Sequence, residues 1–506
     1  MTASAVSRSL RRLHRDQRGV TAVIVVLTLP VLFAFGALVI NSGLWLTIKR
    51  GNQSAADAAA LSTAYELMAG PADACSKDPN FVANRLTPAA TQAVAANQHV
   101  GWDTTGTTTT VTCPYTDTLL NTEFGAGSYT AVAVTLQQDQ SSLFAFAPLA
   151  SATIATKSVG VVANAQDVCF LALGQSPSRS GPCPAGFGIC GNGNVGITTP
   201  PSCAVVADST ADNSIDLVGG AASITAGAIV TAGGVAGSGG ISGTHPTART
   251  FSTPVPDPYA TTLTHSALTS GMPTTPCPMP TLIPVGPITW SKYLDNCKVT
   301  GPLLPIHTVL SGNNQISGGL TVVSGTVLLN AGSTGNTGTY WITDGDLNVS
   351  GTLACTFNAT TPTGTSCTPG GAGITIILTT ALAGGGTIGT VEMPPGNNSL
   401  SMNAPAAATT ANFKGDLIIQ DYNGIPPSTT YTSTQTDFQG TPSATFTGLV
   451  YLPNGAMNSF GNVSIGGCFV LVVGYLRMSG NSNLDTTGCT AAGVTPPKIQ
   501  TVVLGE

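Results

Sequence analysis

Between Gly19 and Ile48 the chain carries no charged residue. A helix needs roughly 20 apolar residues to cross the hydrocarbon core of a bilayer, and this run is longer. Five arginines stand before it (Arg8, Arg11, Arg12, Arg15, Arg18) and Lys49-Arg50 follow it. The upstream basic excess holds residues 1–18 in the cytoplasm and sends everything after Arg50 across the membrane. A cleaved secretory signal also begins with basic residues, but its apolar core is only about 7–15 residues and it ends on a small-x-small site, which is not evident here. The sequence therefore predicts a retained single-pass anchor in the inner membrane, N-terminus inside, with the bulk of the chain in the periplasm or beyond. Pro30 lies inside the span, where it is expected to bend the helix.

Composition fits export. The 456 residues after Arg50 hold ten basic groups against 22 acidic ones, a net charge of −12. That sign excludes nucleic acid and anionic membrane surfaces as partners, because both need clustered Lys and Arg. Charged residues make up only 8% of the whole, and aromatic residues 6%, which is unusual for a globular enzyme. Recurrent Val, Ile and Leu doublets favour β-structure stabilised by backbone pairing over a disordered stalk.

All twelve cysteines follow the anchor, and in an oxidising compartment an even number reads as disulfides. Cys183 and Cys190, Cys277 and Cys297, Cys355 and Cys367, and Cys468 and Cys489 lie close in sequence as candidate loop staples, with connectivity left open. No C-x-x-C occurs, so a zinc site is the weaker reading and no metal or other cofactor is expected.

Beyond Arg50, GNQSAADAAALSTAYELMAG is rich in helix formers, with Ala56, Ala60, Ala64, Leu67 and Met68 at helical spacing. The membrane helix is expected to continue to Gly70-Pro71, with Gly51 as its weak point. The order of basic tail, RGVTAVIVVLTLPVLFAFGALVINSGLWLTIKR and NQSAADAAALSTA resembles the N-terminal region of the TadG-like proteins of Flp (tight adherence, Tad) pilus systems. The resemblance covers about Arg18 to Tyr65, carried by the Arg-Gly start, the mid-span Leu-Pro and the Ala-Asp-Ala-Ala-Ala-Leu after a basic pair. Related TadE-like pseudopilins carry a glutamate soon after the glycine at which a prepilin peptidase cuts. Here Ile24 and its neighbours are apolar, which argues against processing after Gly19, is similar to the TadG branch and is consistent with a permanent anchor.

From 71 to 165 a small α+β domain is expected, with strands at TTGTTTTVTCPYT, SYTAVAVTLQQ and SATIATKSVGVVANA. A pilin-like plan and a generic spacer remain open. Cys75 and Cys113 are placed to tie the helix exit to the first strand.

After Gln166 the windows Gly319-Leu320, Asp346-Leu347, Gly373-Ile374 and Ser399-Leu400 recur every 26 or 27 residues, and Gly448-Leu449 and Tyr475-Leu476 repeat the interval. A fixed period of this size is the mark of a solenoid. DLIIQDYNGIPPSTTYTSTQTDFQG breaks the period as a looped-out insertion, and the Pro-rich 244–300 reads as a long connection. The fold class is thus mainly β. It comprises the transmembrane helix 19–48, an exported helix 49–70, the small domain, and a disulfide-stapled right-handed parallel β-helix over 166–506, with a β-sandwich as the alternative. The order of the second half, from VCFLALGQS to GLVYLPNGAMNSFGNVSIGGCFVLVVGYLRMSGNSNL, is also similar to the exported region of many TadG-like proteins.

Parallel β-helices host polysaccharide enzymes, so carboxylate pairs matter. Asp344 and Asp346 flank Gly345, and Asp208, Asp212 and Asp216 recur every fourth residue. Both sets sit beside turn residues, where aspartate bonds its own backbone, and that is the preferred reading. The histidines His14, His99, His245, His265 and His307 are scattered, and no Ser/His/Asp set, nucleophile elbow or phosphate loop stands out. The expectation is a non-enzymatic envelope protein without catalytic, cofactor-binding or metal residues. Its expected partners are the inner membrane and, through the resemblance, other Tad/Flp pilus components in pilus assembly and surface adhesion. An adhesin that binds surface glycans from a pilus-type anchor is the alternative.

Overall fold

The computed structural model describes residues 17–505, except 71–73, 79, 99–105, 125–128, 142–150, 164–165, 175, 177–182, 244–247, 279, 286–287, 293–296, 300–306, 332–336, 356–372, 382–387, 397, 407–412, 422–434, 441–442, 488–495 and 500–501. The chain is mainly β, with one long apolar helix and a large parallel sheet. It divides into two compact units, 1–164 with 502–506, and 165–501.

The first unit is built on helix α1, Gln17–Ala69, which runs unbroken through Pro30 and also through Gly51. The sequence marked Gly51 as a weak point, but the residues after it are packed: Asn52, Ala55 and Ala56 are buried. Tertiary contact outweighs a propensity deficit of about 1 kcal/mol. Strands β1 (Thr107–Tyr115), β2 (Tyr129–Ser141) and β3 (Ser151–Ala163) form an antiparallel sheet with Val502–Gly505 beside β3. The small residues of α1 let the sheet and helix α2 (Thr87–Ala96) come close. Ala55, Ala56, Ala59 and Ala60 pack with Ala90, Val94, Val134 and Leu136, while Ala64 and Leu67 pack with Val132, Val162 and Val502. Gly160 sits where β3 touches the helix, and a Cβ there would lie 2.2 Å from the Ala60 carbonyl oxygen. The sequence reading carried the second region to Glu506. The structure instead returns Val502–Gly505 to the first sheet, because Val502 fills the gap beside Ala64 and Leu67.

The second unit is organised as three parallel ladders. In the second ladder the column Tyr340, Ile376, Ile418, Val450, Leu471, Phe170, Val205, Ile229 is continuous from strand to strand. In the first, Leu353, Leu400, Ala444, Ile465, Leu484, Ile197, Ile224 and Ile241 align in the same way. In the third, Leu476, Ile189, Ile215 and Val235 align. These columns meet in one apolar core. The alternate residues of the second ladder form a further column, Trp341, Ile377, Ile419, Tyr451, Val472, Leu171, Val206 and Val230. That column is covered by Leu263 and Leu268, with Val255, Tyr259 and Met272 packed against it. Strands buried on both faces read as continuous hydrophobic runs, which explains ITIILT, GLVYLP and CFVLVVG.

Stacking order departs from chain order. The strands at 166–198 pair with Ser464–Gly480 and Asn483–Asp485, and 203–226 and 228–243 follow them. The segment from Ala248 to Cys277 then runs back along the second ladder. Arg249 bridges Val230, the Val255 amide donates to Asp208 (2.9 Å), Tyr451 donates its hydroxyl to Asp257 (2.6 Å), and the Trp341 indole donates to the Leu268 carbonyl (2.7 Å). We call this segment the strap.

Several sequence expectations need correction here. Leu320 and Leu347 do pair, but Leu347 next pairs with Val391, while Ile374 and Leu400 belong to other ladders. Likewise Leu449 pairs with Val470, and Leu476 with Met457. Segments between strands vary in length, so a constant interval does not mark equivalent positions. The ends of the proposed insertion are strands, Asp416–Gln420 and Gln435–Gly440, with 422–434 outside the described residues. The connection is also shorter than 244–300, because Thr281–Val285, Ile288–Lys292 and Cys297–Val299 are strands.

The Gly-Asn turn signals have a structural cause. Gly440, Gly461, Gly480 and Gly193 occupy the same corner of successive strand sets, all at positive φ between 86° and 97°. A Cβ on Gly480 would lie 2.6 Å from the Gly461 carbonyl oxygen. The residues that follow form an amide ladder: Asn194 donates to Asn481 (2.9 Å), which donates to Asn462 (2.8 Å).

Candidate functional site

Helix α1 changes its surroundings along its length. Val26, Leu32 and Val39 are 69–70% exposed, in a stretch from Val23 to Leu46 that leaves large apolar side chains uncovered. Water would penalise such a surface at about 25 cal/mol per Å². Among the described residues, Val23–Ala69 is the helix long and apolar enough to cross a membrane. From Ala55 onward the same helix is buried by alanine contacts with the sheet. Between these parts, Ser42, Trp45, Leu46 and Lys49 border a cleft of about 460 Å³ with Ala152 to Ala155 of β3. A tryptophan and a lysine one turn apart at the end of an apolar run suit a membrane–water boundary, where an indole and a long ammonium stem each have a wet end and a dry one.

Four disulfides are described: Cys75–Cys113, Cys169–Cys203, Cys183–Cys190 and Cys277–Cys297. Cys355 and Cys468 are also disulfide-bonded, and Cys367 and Cys489 lie outside the described residues. The sequence reading did not single out Cys169 with Cys203. Its signal was the shared context of VCFLAL and SCAVVA, two neighbouring strands of one ladder.

The carboxylate sets are not gathered into a site. Asp344, at φ 57°, accepts from the Thr380 hydroxyl (2.7 Å), whereas Asp346 accepts from the Thr390 amide (2.8 Å) and hydroxyl. Each thus ties its own turn to a neighbouring segment. Asp208 and Asp216 are buried and Asp212 is exposed. Burial pushes the Asp208 carboxyl up to about 7, against the opposing pull of the Val255 amide, and it also raises that of Asp216. Among the described residues, no group of three or more His, Cys, Asp or Glu is placed to hold a metal ion. His14, His99 and His245 lie outside the described residues, His307 opens a strand, and His265 bonds through Nδ1 to the buried Asp421, which also accepts from Thr379. Sequence reasoning missed this strap-to-ladder pair, since 156 residues separate its members.

No curated protein and no solved structure matches the chain. Residues 19–66 match a family model described as "Putative Flp pilus-assembly TadE/G-like". The match begins at the uncharged run and ends within the alanine-packed part of α1, so both parts of that helix are similar to the family.

Proposed function

We propose that this chain is a TadG-like, non-enzymatic component of Flp pilus assembly, held in the inner membrane by α1 with its N-terminus in the cytoplasm. The observation that carries this reading is the family match over 19–66, which spans both the apolar run and the packed helix beyond it. In this reading the first unit is the exported base of the anchor and associates with other pilus components. The second unit is a right-handed parallel β-helix that extends from the secretion platform and offers its surface to them. The long parallel ladders and their shared core support the solenoid, and right-handed crossovers are the general rule for parallel strands. The use of Asp344 and Asp346 as turn ties supports a non-enzymatic role.

A second reading, an adhesin that binds surface glycans from a pilus-type anchor, is favoured by one fact: all of 165–501 lies beyond the matched segment. Deleting the chain from its host and counting surface pili by electron microscopy separates the two. Loss of pili that the full chain restores is the expected result. Normal pili with reduced glycan adhesion would overturn it in favour of the adhesin. Protease protection of the second unit in spheroplasts would refute the topology.

A further inference from the structure

Where the strap crosses the second ladder it leaves a cleft of about 490 Å³, lined by Tyr259, Thr262, Leu263, Ala267, Ser270, Phe413 and Asp416. Strap residues form one wall. Phe413 and Asp416, at the start of the strand Asp416–Gln420, form the other. Asp416 is the one charged group in the lining. Among the described residues its carboxyl has no hydrogen bond or ion pair; only its backbone is engaged, the amide with Phe413 and the carbonyl with Thr375. Asp416 is half-buried, and a carboxyl in a cleft wall with no protein partner is open to a ligand.

The neighbouring groups narrow what that ligand can be. Asp208 and Asp421, the buried carboxyls along the strap, are engaged by the protein: Asp208 accepts from the Val255 amide through one oxygen, the other being buried without a partner, and Asp421 meets His265 and Thr379. Beside Asp416 stands Tyr259, whose ring packs edge-on against Tyr451 at 5.5 Å between centroids. Asp416 and Asp257 both oppose ionisation of the Tyr259 hydroxyl, behind the larger effect of burial. Among the described residues the lining offers no cation, no amide side chain and no guanidinium. An anion would therefore meet repulsion from Asp416, and a sugar would find one carboxylate and few other polar groups for its several hydroxyls. A carboxylate flanked by two aromatic rings, with aliphatic Leu263 and Ala267 and the hydroxyls of Thr262 and Ser270 alongside, matches a cation on an apolar stem.

We propose that this cleft binds a primary alkylammonium group, whose nitrogen pairs with Asp416 and whose methylene stem lies against Phe413, Leu263 and Ala267. The class has two sources, the lysine side chain of a partner protein and a free aliphatic amine. The site does not depend on the pilus reading, since it rests on the second unit alone. Burial raises the Asp416 carboxyl to about 7, so bound ammonium and carboxyl ionisation support one another above that pH.

The test is calorimetric titration of the full-length chain in nanodiscs at pH 8, with n-butylammonium, n-butanol, cadaverine and a peptide carrying one internal lysine as probes. Butylammonium is expected to bind at least tenfold more tightly than butanol, and Asp416→Asn to remove that preference. The butanol comparison needs no variant, so it decides even if Asp416→Asn misfolds. Tighter binding of the peptide than of cadaverine assigns the site to a protein partner, and the reverse assigns it to a free amine; either sustains the proposal. Equal binding of butanol and butylammonium, or no binding by any amine, overturns it. The pilus count after gene deletion is unaffected by that failure.

Discussion

The first unit and the second ladder of the second unit bury their strands in opposite ways. In the first unit β1 alternates half-buried and exposed residues along its whole length, because one face is covered and the other meets solvent. In the second unit Gly373–Thr379 is buried at every position, with the common core on one side and the strap side on the other. The difference shows what sets strand composition here. A sheet covered once keeps the alternating pattern that identifies it, and a sheet covered twice loses it and becomes a plain aliphatic run. The units share one trait despite this contrast, since each is completed by residues late in the chain. Val502–Gly505 finishes the first sheet, and 443–485 supplies the strands on which 166–198 stacks.

The largest effect should come from breaking that shared trait. In an ordinary stack, removing the last repeats trims an end and leaves the rest folded. Here, ending the chain after Thr441 removes interior strands, because Leu471 lies between Val450 and Phe170 in the second ladder, and it also removes Val502 from beside Ala64. The expected outcome is loss of cooperative unfolding in both units, read by hydrogen exchange. Native-like protection in 203–231 of the truncated chain would show that the N-terminal strands stand alone.

A substitution confined to the first unit sharpens the contrast. Gly160→Val puts a side chain against the Ala60 carbonyl, where even a Cβ comes within 2.2 Å. A cost of about 3 kcal/mol is expected, at the upper end of ordinary overpacking. Protection should fall in β2 and β3 and stay unchanged in the second unit. If the two units unfold together in this variant, they are thermodynamically one body.

Legibility followed the same division. The long apolar helix, the three strands of the first unit and the β-rich second half could be read because local pattern determines them. Absence of charge over Gly19–Ile48, alternation in TTTTVTCPY and β-branched content each act within a few residues. The ladder register could not be read, since segments between strands differ in length and the interval from Leu347 to Ile374 imitates a repeat that pairing does not follow. The out-of-order stacking and the strap were hidden for a related reason. Their contacts join residues as far apart as Asp257 and Tyr451 or His265 and Asp421. At the candidate site, the long apolar run and its family resemblance were plain, while the unpartnered Asp416 looked like any aspartate beside a glycine.

Titration should separate the units next, with opposite signs. In the second unit Asp208 and Asp416 are each raised to about 7 by burial. Groups raised above their unfolded values give their full contribution below about pH 4 and lose it as pH climbs toward 7. In the first unit the exposed Asp117 is lowered, chiefly by the Leu119 amide, so its contribution is present at neutral pH and fades on acidification. Stability of the second unit should therefore fall by about 2 kcal/mol between pH 6 and pH 7, and that of the first should not. Asp208→Asn should remove roughly half of that slope, as measured by denaturation at the two pH values. A flat profile in the wild type would mean that water reaches both carboxyls.

The smallest effect concerns the corners that the Gly-Asn signals mark. Asn481 donates to Asn462 and accepts from Asn194, but it is exposed, so water replaces those bonds when they are lost. Asn481→Ala should cost only about 0.5–1 kcal/mol. Gly480→Ala, one residue earlier, should cost more, because it forces an L-residue to φ 86° (about 1–2 kcal/mol) and drives its Cβ toward the Gly461 carbonyl. If the order is reversed, the amide ladder holds the corner and glycine only permits it. If the expected order stands, the backbone turn is primary, and the asparagines stack because successive glycines have already brought them into line. In that case the Gly-Asn pair marks where strands of the third ladder turn into the first, a corner that the described antiparallel strands of the first unit do not share.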